Sequence, residues 1–253
     1  MAYILEDTKK VESLFEGWEE TLIYSCLQKV MGKIYVDNLE EPESACAKIG
    51  DLAFFAGKPD ENLIKESINR FTIIVPQSDL WNVSIEKVFP EAKKSVRYAI
   101  KKNTVFDKEK LKAFASNIPD GYELSEINGE VYDKCFGNPV TEDFVSCFGS
   151  KENYLKLGRG VVLLKDGKIV AGASSYTRYN EGIEIEVDTE PEYRQKGLAT
   201  IASAKLILNC LEEGLYPSWD AANMTSVRLA EKLGYEFSHE YTMYEVNSAG
   251  RTH

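Results

Sequence analysis

Histidine is scarce: His239 and His253 are the only two in 253 residues. Neither stands near a Ser or Cys in a nucleophile motif, so triad chemistry has no support. The five cysteines, Cys26, Cys46, Cys135, Cys147 and Cys210, are odd in number and scattered. None shows the spacing of a metal knuckle, so reduced thiols in a cytosol are expected, and no metal. No apolar run approaches the ~20 residues of a membrane span. The mixed, acidic start from Met1 to Lys10 lacks the basic head and apolar core of a secretory signal. These absences predict a cytoplasmic, soluble chain with no membrane partner. A Gly-x-x-x-x-Gly-Lys-Ser/Thr loop is missing too, and Gly158-Arg159-Gly160 precedes an apolar run of strand character, so it reads as an ordinary turn.

Positive charge is in short supply. Thirty Lys and Arg face 41 Asp and Glu, a formal net charge of -11. That balance excludes broad nucleic-acid or anionic-membrane binding, which needs a positive face. It accepts a cationic or neutral small molecule more easily. With 43% hydrophobic residues, the chain can bury one large or two modest cores.

Periodicity predicts an α/β protein with mixed sheet, and no repeat is legible in it. Apolar residues at helical spacing from Val11 to Ile23 predict a helix over Thr8 to Lys33. Ala53–Ala56 and Thr72–Val75 read as strands flanking a helix from Glu61 to Asn69, followed by a short helix at Ser84 to Phe89 and a strand at Val96 to Lys101. After a helix at Lys108 to Ala115, turn formers gather at Asn117 to Gly121. They predict a boundary between a smaller N-terminal α/β domain, 1–119, and a second domain, 120–253. In the second domain Tyr122 to Ile127 suits a strand, and helical patterns fill Gly129 to Cys135 and Thr141 to Phe148. Lys165-Asp166-Gly167-Lys168 joins Val161–Leu164 to Ile169–Ala173 as a hairpin. Ile183 to Asp188 alternates as a strand, helices follow at Gly197 to Glu213 and Asn223 to Leu233, with a strand near Ser218 to Asp220 between them, and a strand pair closes Tyr235 to Val246.

The turn Arg194-Gln195-Lys196-Gly197-Leu198-Ala199 is the most informative stretch. A strand that stops here and continues as a helix leaves several backbone N–H groups unpaired at the positive end of a helix dipole, which makes an anion site. Gly197 lets the backbone approach a phosphate and Ala199 keeps bulk away, while Arg194 and Lys196 add charge.

The order hairpin, strand, Arg-x-x-Gly-x-Ala, helix, strand, Asn223-x-x-Ser226, helix, Lys232-Leu233-Gly234-Tyr235 resembles the acyl-CoA N-acyltransferases of the GNAT superfamily over roughly Gly121 to Val246. Ile183 to Ala199 and Pro217 to Asn223 are most similar to a two-domain bacterial branch that includes zwittermicin A resistance acetyltransferases. The resemblance implies a GNAT-type fold for 120–253 and acetyl-CoA as cosubstrate. It places the diphosphate of coenzyme A on Gln195, Lys196, Gly197, Leu198 and Ala199 with Arg194 beside it. The pantetheine arm then runs along Val187, Asp188 and Thr189, near Asn223 and Ser226. The family's strand bulge, which aims an N–H at the thioester oxygen, is assigned to Val187.

An ammonium substrate must lose a proton before it attacks, so a base is required. Glu184 and Glu186 share one strand face; Glu184 is favoured and Glu186 is second, with simple pairing to a neighbouring cation as the competing role for each. Many relatives draw an acid from a Tyr at the position held here by Ala230, which leaves Ser226, Tyr235 or Tyr193 as substitutes. Asn223 and Ser226 also suit plain helix capping, and Trp219 suits either an acceptor cleft or a core.

The predicted activity is direct acetyl or short-acyl transfer to a small cationic amine such as an aminopolyol antibiotic, with antibiotic resistance following from kinship. A non-catalytic acyl-CoA sensor and a protein or peptide N-acetyltransferase remain open beside it. The N-terminal half either sets acceptor specificity or serves packing or homodimer formation.

Overall fold

The structure, a computed structural model, describes residues 1–247, so His253 lies outside it. The chain forms two compact units, Met1–Arg97 completed by the segment from Glu240, and Tyr98–His239. The turn at Asn117 to Gly121 falls inside the second.

The first unit opens with strand β1 (Tyr3–Ile4), a 3-10 segment Thr8–Phe15 and helix α1 (Thr21–Leu27). The single helix expected over Thr8 to Lys33 is broken at Gly17 (φ +76°), and α1 stops at Leu27, ahead of the left-handed Lys29 (φ +59°) and Gly32 (φ +75°). At Gly32 a Cβ would come within 2.6 Å of Cys26 Sγ and 2.7 Å of Lys48 O, so no other residue fits the turn into β2 (Lys33–Val36). β2, β3 (Ser44–Ile49) and β4 (Leu52–Gly57) form an antiparallel meander. β3 escapes sequence reading because it is buried on both faces and therefore does not alternate. Helix α2 (Glu61–Ser67) leads to β5 (Thr72–Pro76), parallel to β4, then α3 (Asp79–Val88) and β6 (Lys93–Ile100) follow. α3 starts earlier than expected because exposed Leu80 and Val83 blur the stripe of Trp81, Ile85 and Val88, which pack with Phe55, Ile64 and Ile74.

The second unit holds α4 (Lys108–Ser116), β7 (Tyr122–Glu126), α5 (Gly129–Cys135), two 3-10 turns at Glu142–Phe144 and Ser146–Phe148, and α6 (Lys151–Leu157). β8 (Gly160–Lys165) and β9 (Lys168–Tyr179) form the expected hairpin, with Asp166 at φ +50° and Gly167 at +76°, the two left-handed residues of a type I′ turn. β10 (Gly182–Thr189) adds antiparallel to β9, α7 (Leu198–Glu212) crosses, and β11 (Tyr216–Ser218) returns parallel to β10. β12 (Asp220–Ala221), α8 (Met224–Leu233) and β13 (Phe237–Val246) are the last elements among the described residues, so one strand stands where a closing pair was expected.

The two halves of the sequence repeat one order: strand, helical segments (two in the first half, four in the second), three antiparallel strands, helix, parallel strand, helix, strand, with the short β12 inserted before α8 in the second. In each unit a strand from the other half of the sequence is added, beside the parallel strand β5 in the first and beside the short β12, which follows β11, in the second. β13 pairs with β5 over Tyr244–Val246, and β6 pairs with β12 at Asp220↔Ala99 and Ala221↔Tyr98. The repetition is topological only, and the sequence hides it. The units differ where β4 and β10 end. In the first, pairing with β5 runs on to Phe55↔Pro76, and Gln77 then stitches the strands together. Its N–H donates to Phe55 O (3.0 Å), and its Oε1 accepts from Gly57 N (3.0 Å). Trp81 Nε1 donates to Gly57 O at 3.0 Å beside them. In the second, pairing stops at Glu184↔Ser218, and the chain leaves through Trp219 to pair elsewhere. β10 is thus left with an open edge from Ile185 onward on that side.

Candidate active site

α7 begins at the end of this open edge. Beyond β10 the chain makes a 3-10 turn at Pro191–Tyr193, runs extended through Arg194 (ψ 159°), and turns left-handed at Gln195 (φ +61°) and at the N-cap Gly197 (φ +81°). These torsions stack the amides without letting them bond backward. The first N–H of α7 with an acceptor is that of Ile201, which reaches Gly197 O at 3.2 Å. Among the described residues, the N–H groups of 195–200 have no acceptor. Arg194, Gln195, Lys196 and Gly197 are exposed, and a Cβ placed on Gly197 meets nothing within 4 Å, so the space before the amides is open. A 15-residue helix dipole points into it. Arg194 is held at the lip by Nε donation to Thr189 O (3.1 Å) and by Asp188 at 3.8 Å. Lys196 Nζ rests 4.6 Å above the Tyr193 ring. Leu198 and Thr200 anchor the first turn in the protein. This nest of donors with two held cations fits a diphosphate.

Along β10, Ile183 and Ile185 pack into the core with Leu198, Ile201 and Ala202 of α7, which turns Glu184 and Glu186 to the opposite face. Glu184 is 4% exposed; Glu186 is half-buried. The register shifts between Glu184 and Ile185, with Tyr176 the extra residue on β9. The irregularity thus lies upstream of Val187, which pairs with Ala173 in regular register. Asp188 Oδ1 accepts from Thr189 N at 2.6 Å.

At the mouth of the gap stands Lys102, which sequence reasoning misses because a Lys-Lys pair after a strand looks like solvated surface. Its Nζ donates to Trp219 O (3.0 Å) and lies 3.9 Å from Glu184 Oε2. Trp219 is buried, and its Nε1 donates to Ser226 Oγ at 3.0 Å. Asn223 caps α8 by accepting from Ser226 N (3.0 Å), so its capping role is present in the fold. Ala230 is buried with Val227 and Leu233 on the core face of α8. Tyr235 is buried, its hydroxyl donates to Pro217 O at 2.6 Å, and burial pushes its acidity far below that of a free phenol. Tyr193 is half-buried, edge-on to Tyr122. Away from the gap, Arg159 is committed to Glu213 through paired bonds of 2.6 to 2.9 Å, as befits a structural turn. No group of His, Cys, Asp and Glu among the described residues could hold a metal, and no helix there is long and apolar enough to cross a membrane.

Residues 12–244 match the GNAT acetyltransferase family. An uncharacterized N-acetyltransferase of Bacillus subtilis, YdfB, is 28% identical over 96% of this chain and 99% of its own length. A GCN5-related N-acetyltransferase-like protein from Streptococcus suis, solved by crystallography, is similar at TM-score 0.92 and 43% identity, over 95% of this chain and 98% of that one. A tandem GNAT protein from the clavulanic acid biosynthesis pathway shares the fold at TM-score 0.58 and 9% identity, over 100% of both chains.

Proposed function

The chain belongs to the GNAT acetyltransferase family and is an acyl-CoA-dependent N-acetyltransferase, and from that premise we propose that it moves an acetyl or short acyl group directly to the amine of a small cationic molecule. The observation that carries the reading is the run of acceptor-free N–H groups at 195–200, set at the end of the open edge of β10. Acetyl-CoA supplies an activated acyl thioester.

The residues present fit that cosubstrate. Gln195, Lys196, Gly197, Leu198 and Ala199 take its diphosphate with Arg194, and Val187, Asp188 and Thr189 flank its arm, with Asn223 and Ser226 nearby. The Val187 N–H serves as donor to the carbonyl oxygen; one such preorganised donor is worth roughly 3 kcal/mol in an acyl transfer. Glu184 accepts the proton of the incoming ammonium, with Glu186 as the alternative acceptor on the same face. A net charge of -11 favours approach of a cationic over an anionic small molecule, which supports an aminopolyol or polyamine acceptor; a resistance role in the cytoplasm is the expectation that goes with it.

Buried Ala230, where relatives supply a Tyr, favours a second reading as an acyl-CoA sensor without turnover. A thermal-shift series with acetyl-CoA, longer acyl-CoAs and ATP, followed by thiol release across an amine panel, separates the two. Stabilisation by acetyl-CoA with release of thiol supports the enzyme; stabilisation without release supports the sensor. Stabilisation by ATP and not by acetyl-CoA overturns both.

A further inference from the structure

Lys102 follows the end of β6, yet its side chain is only 14% exposed and turns into the mouth of the gap. There it touches both arms. Glu184 is the last residue of β10 paired with β11, and Trp219 is the residue at which the other arm turns away. The ammonium thus spans the point of divergence, donating to the carbonyl of one arm and facing the carboxylate of the other. Its neighbour Lys101 pairs instead with Glu236, on the exposed side. A carboxylate withdrawn from water to 5% side-chain exposure needs a compensating cation or several donors, and a compact ammonium meets one carbonyl and one carboxylate at once.

We propose that Lys102 is a positioning residue of the transfer reaction: it fixes the Glu184 carboxylate and the Trp219 carbonyl across the mouth of the gap, so that the proton acceptor is held where the amine enters. This rests on Glu184 being that acceptor. Displacement of a catalytic group by about 1 Å costs on the order of 100-fold in rate, which sets the scale of the effect.

The test is a double-mutant cycle in the full chain with Lys102→Met, Glu184→Gln and the pair, reading kcat with an accepted amine and coenzyme A affinity by calorimetry. Lys102→Met is expected to lower kcat by about 10- to 100-fold while coenzyme affinity stays within about twofold, and Lys102→Arg to recover part of the loss. Added to Glu184→Gln, Lys102→Met is expected to cost nothing further, since the group it positions is gone. Multiplicative losses, or unchanged kcat in Lys102→Met beside an inactive Glu184→Gln, overturn the positioning role and leave the base in place. Full activity of Glu184→Gln removes the base and this proposal together. If Lys102→Met fails to fold, Lys102→Arg decides: coupling to Glu184→Gln upholds the role, and independence overturns it.

Discussion

Glu184 stands opposite Ser218 in the last parallel pair between β10 and β11, and one residue later the two strands part. Everything proposed for the site follows from that parting. It leaves an open edge on β10 that ends at the bare N-terminus of α7, and it sets Trp219 and Lys102 across from Glu184. The first unit shows the alternative outcome of the same topology, with Phe55↔Pro76 and the Gln77 stitch keeping the strands together.

One coenzyme A per chain is therefore expected in calorimetric titration. In the first unit the strands stay joined, and the start of α2 is capped by Asp60, whose carboxylate accepts from Leu63 N at 2.6 Å and would repel a phosphate. Gln77→Ala should leave the stoichiometry at one. Gly197→Asp should abolish binding, because it strains a φ of +81° and sets a carboxylate before the amides. Residual binding in that variant would reveal a second site.

Arg194→Ala and Lys196→Ala should each weaken coenzyme A by about tenfold, the scale of one charge-assisted hydrogen bond near 1.5 kcal/mol. Reaction with acetyl-pantetheine, which lacks the diphosphate, should be unaffected. Equal losses with both donors would mean that the two cations act on the fold.

Glu184→Gln should lower kcat/KM for the amine by about 10²- to 10⁴-fold without moving coenzyme A affinity. The same loss in Glu186→Gln, with Glu184→Gln active, would exchange their roles.

Ser226→Ala removes the acceptor of the buried Trp219 Nε1. Leaving that N–H unsatisfied should cost about 1–3 kcal/mol in urea unfolding, more than loss of a surface hydroxyl. A change within about 0.5 kcal/mol would show that the indole finds another partner or water.

Burial pushes the thiols of Cys46, Cys135 and Cys210 from 9.0 up to about 12. Between those limits the unfolded chain loses protons that the folded chain keeps. Their stabilisation is complete below pH 9 and is lost as the pH rises toward 12, with a slope of about 1.4 kcal/mol per pH unit for each thiol. Melting temperature should fall over that range, less so in Cys46→Ala relative to its own neutral-pH value. At neutral pH, half-buried Cys147 should react with a thiol reagent ahead of the other four, which are buried.

Features written in a few adjacent residues are legible in the sequence. The Asp166-Gly167 hairpin, the Asn223 cap and the turn through Gly197 depend on torsions and short-range hydrogen bonds, so residue type announces them. β3 is not legible, because a strand buried on both faces carries no alternation, and α6 (Lys151–Leu157) hides behind a sequence that buries only Tyr154. Lys102 looks like one more surface lysine.

By itself, then, the order of residues determined the left-handed turn into α7 at 195–197, two carboxylates on one strand face and the family these belong to, since each is a local pattern of backbone freedom and side-chain chemistry. Only the tertiary structure decided that the fold is built twice, that one copy is stitched shut at Gln77, and that Lys102 meets Glu184. Those outcomes depend on which strands pair and where pairing stops, which is settled by packing between residues far apart in the chain.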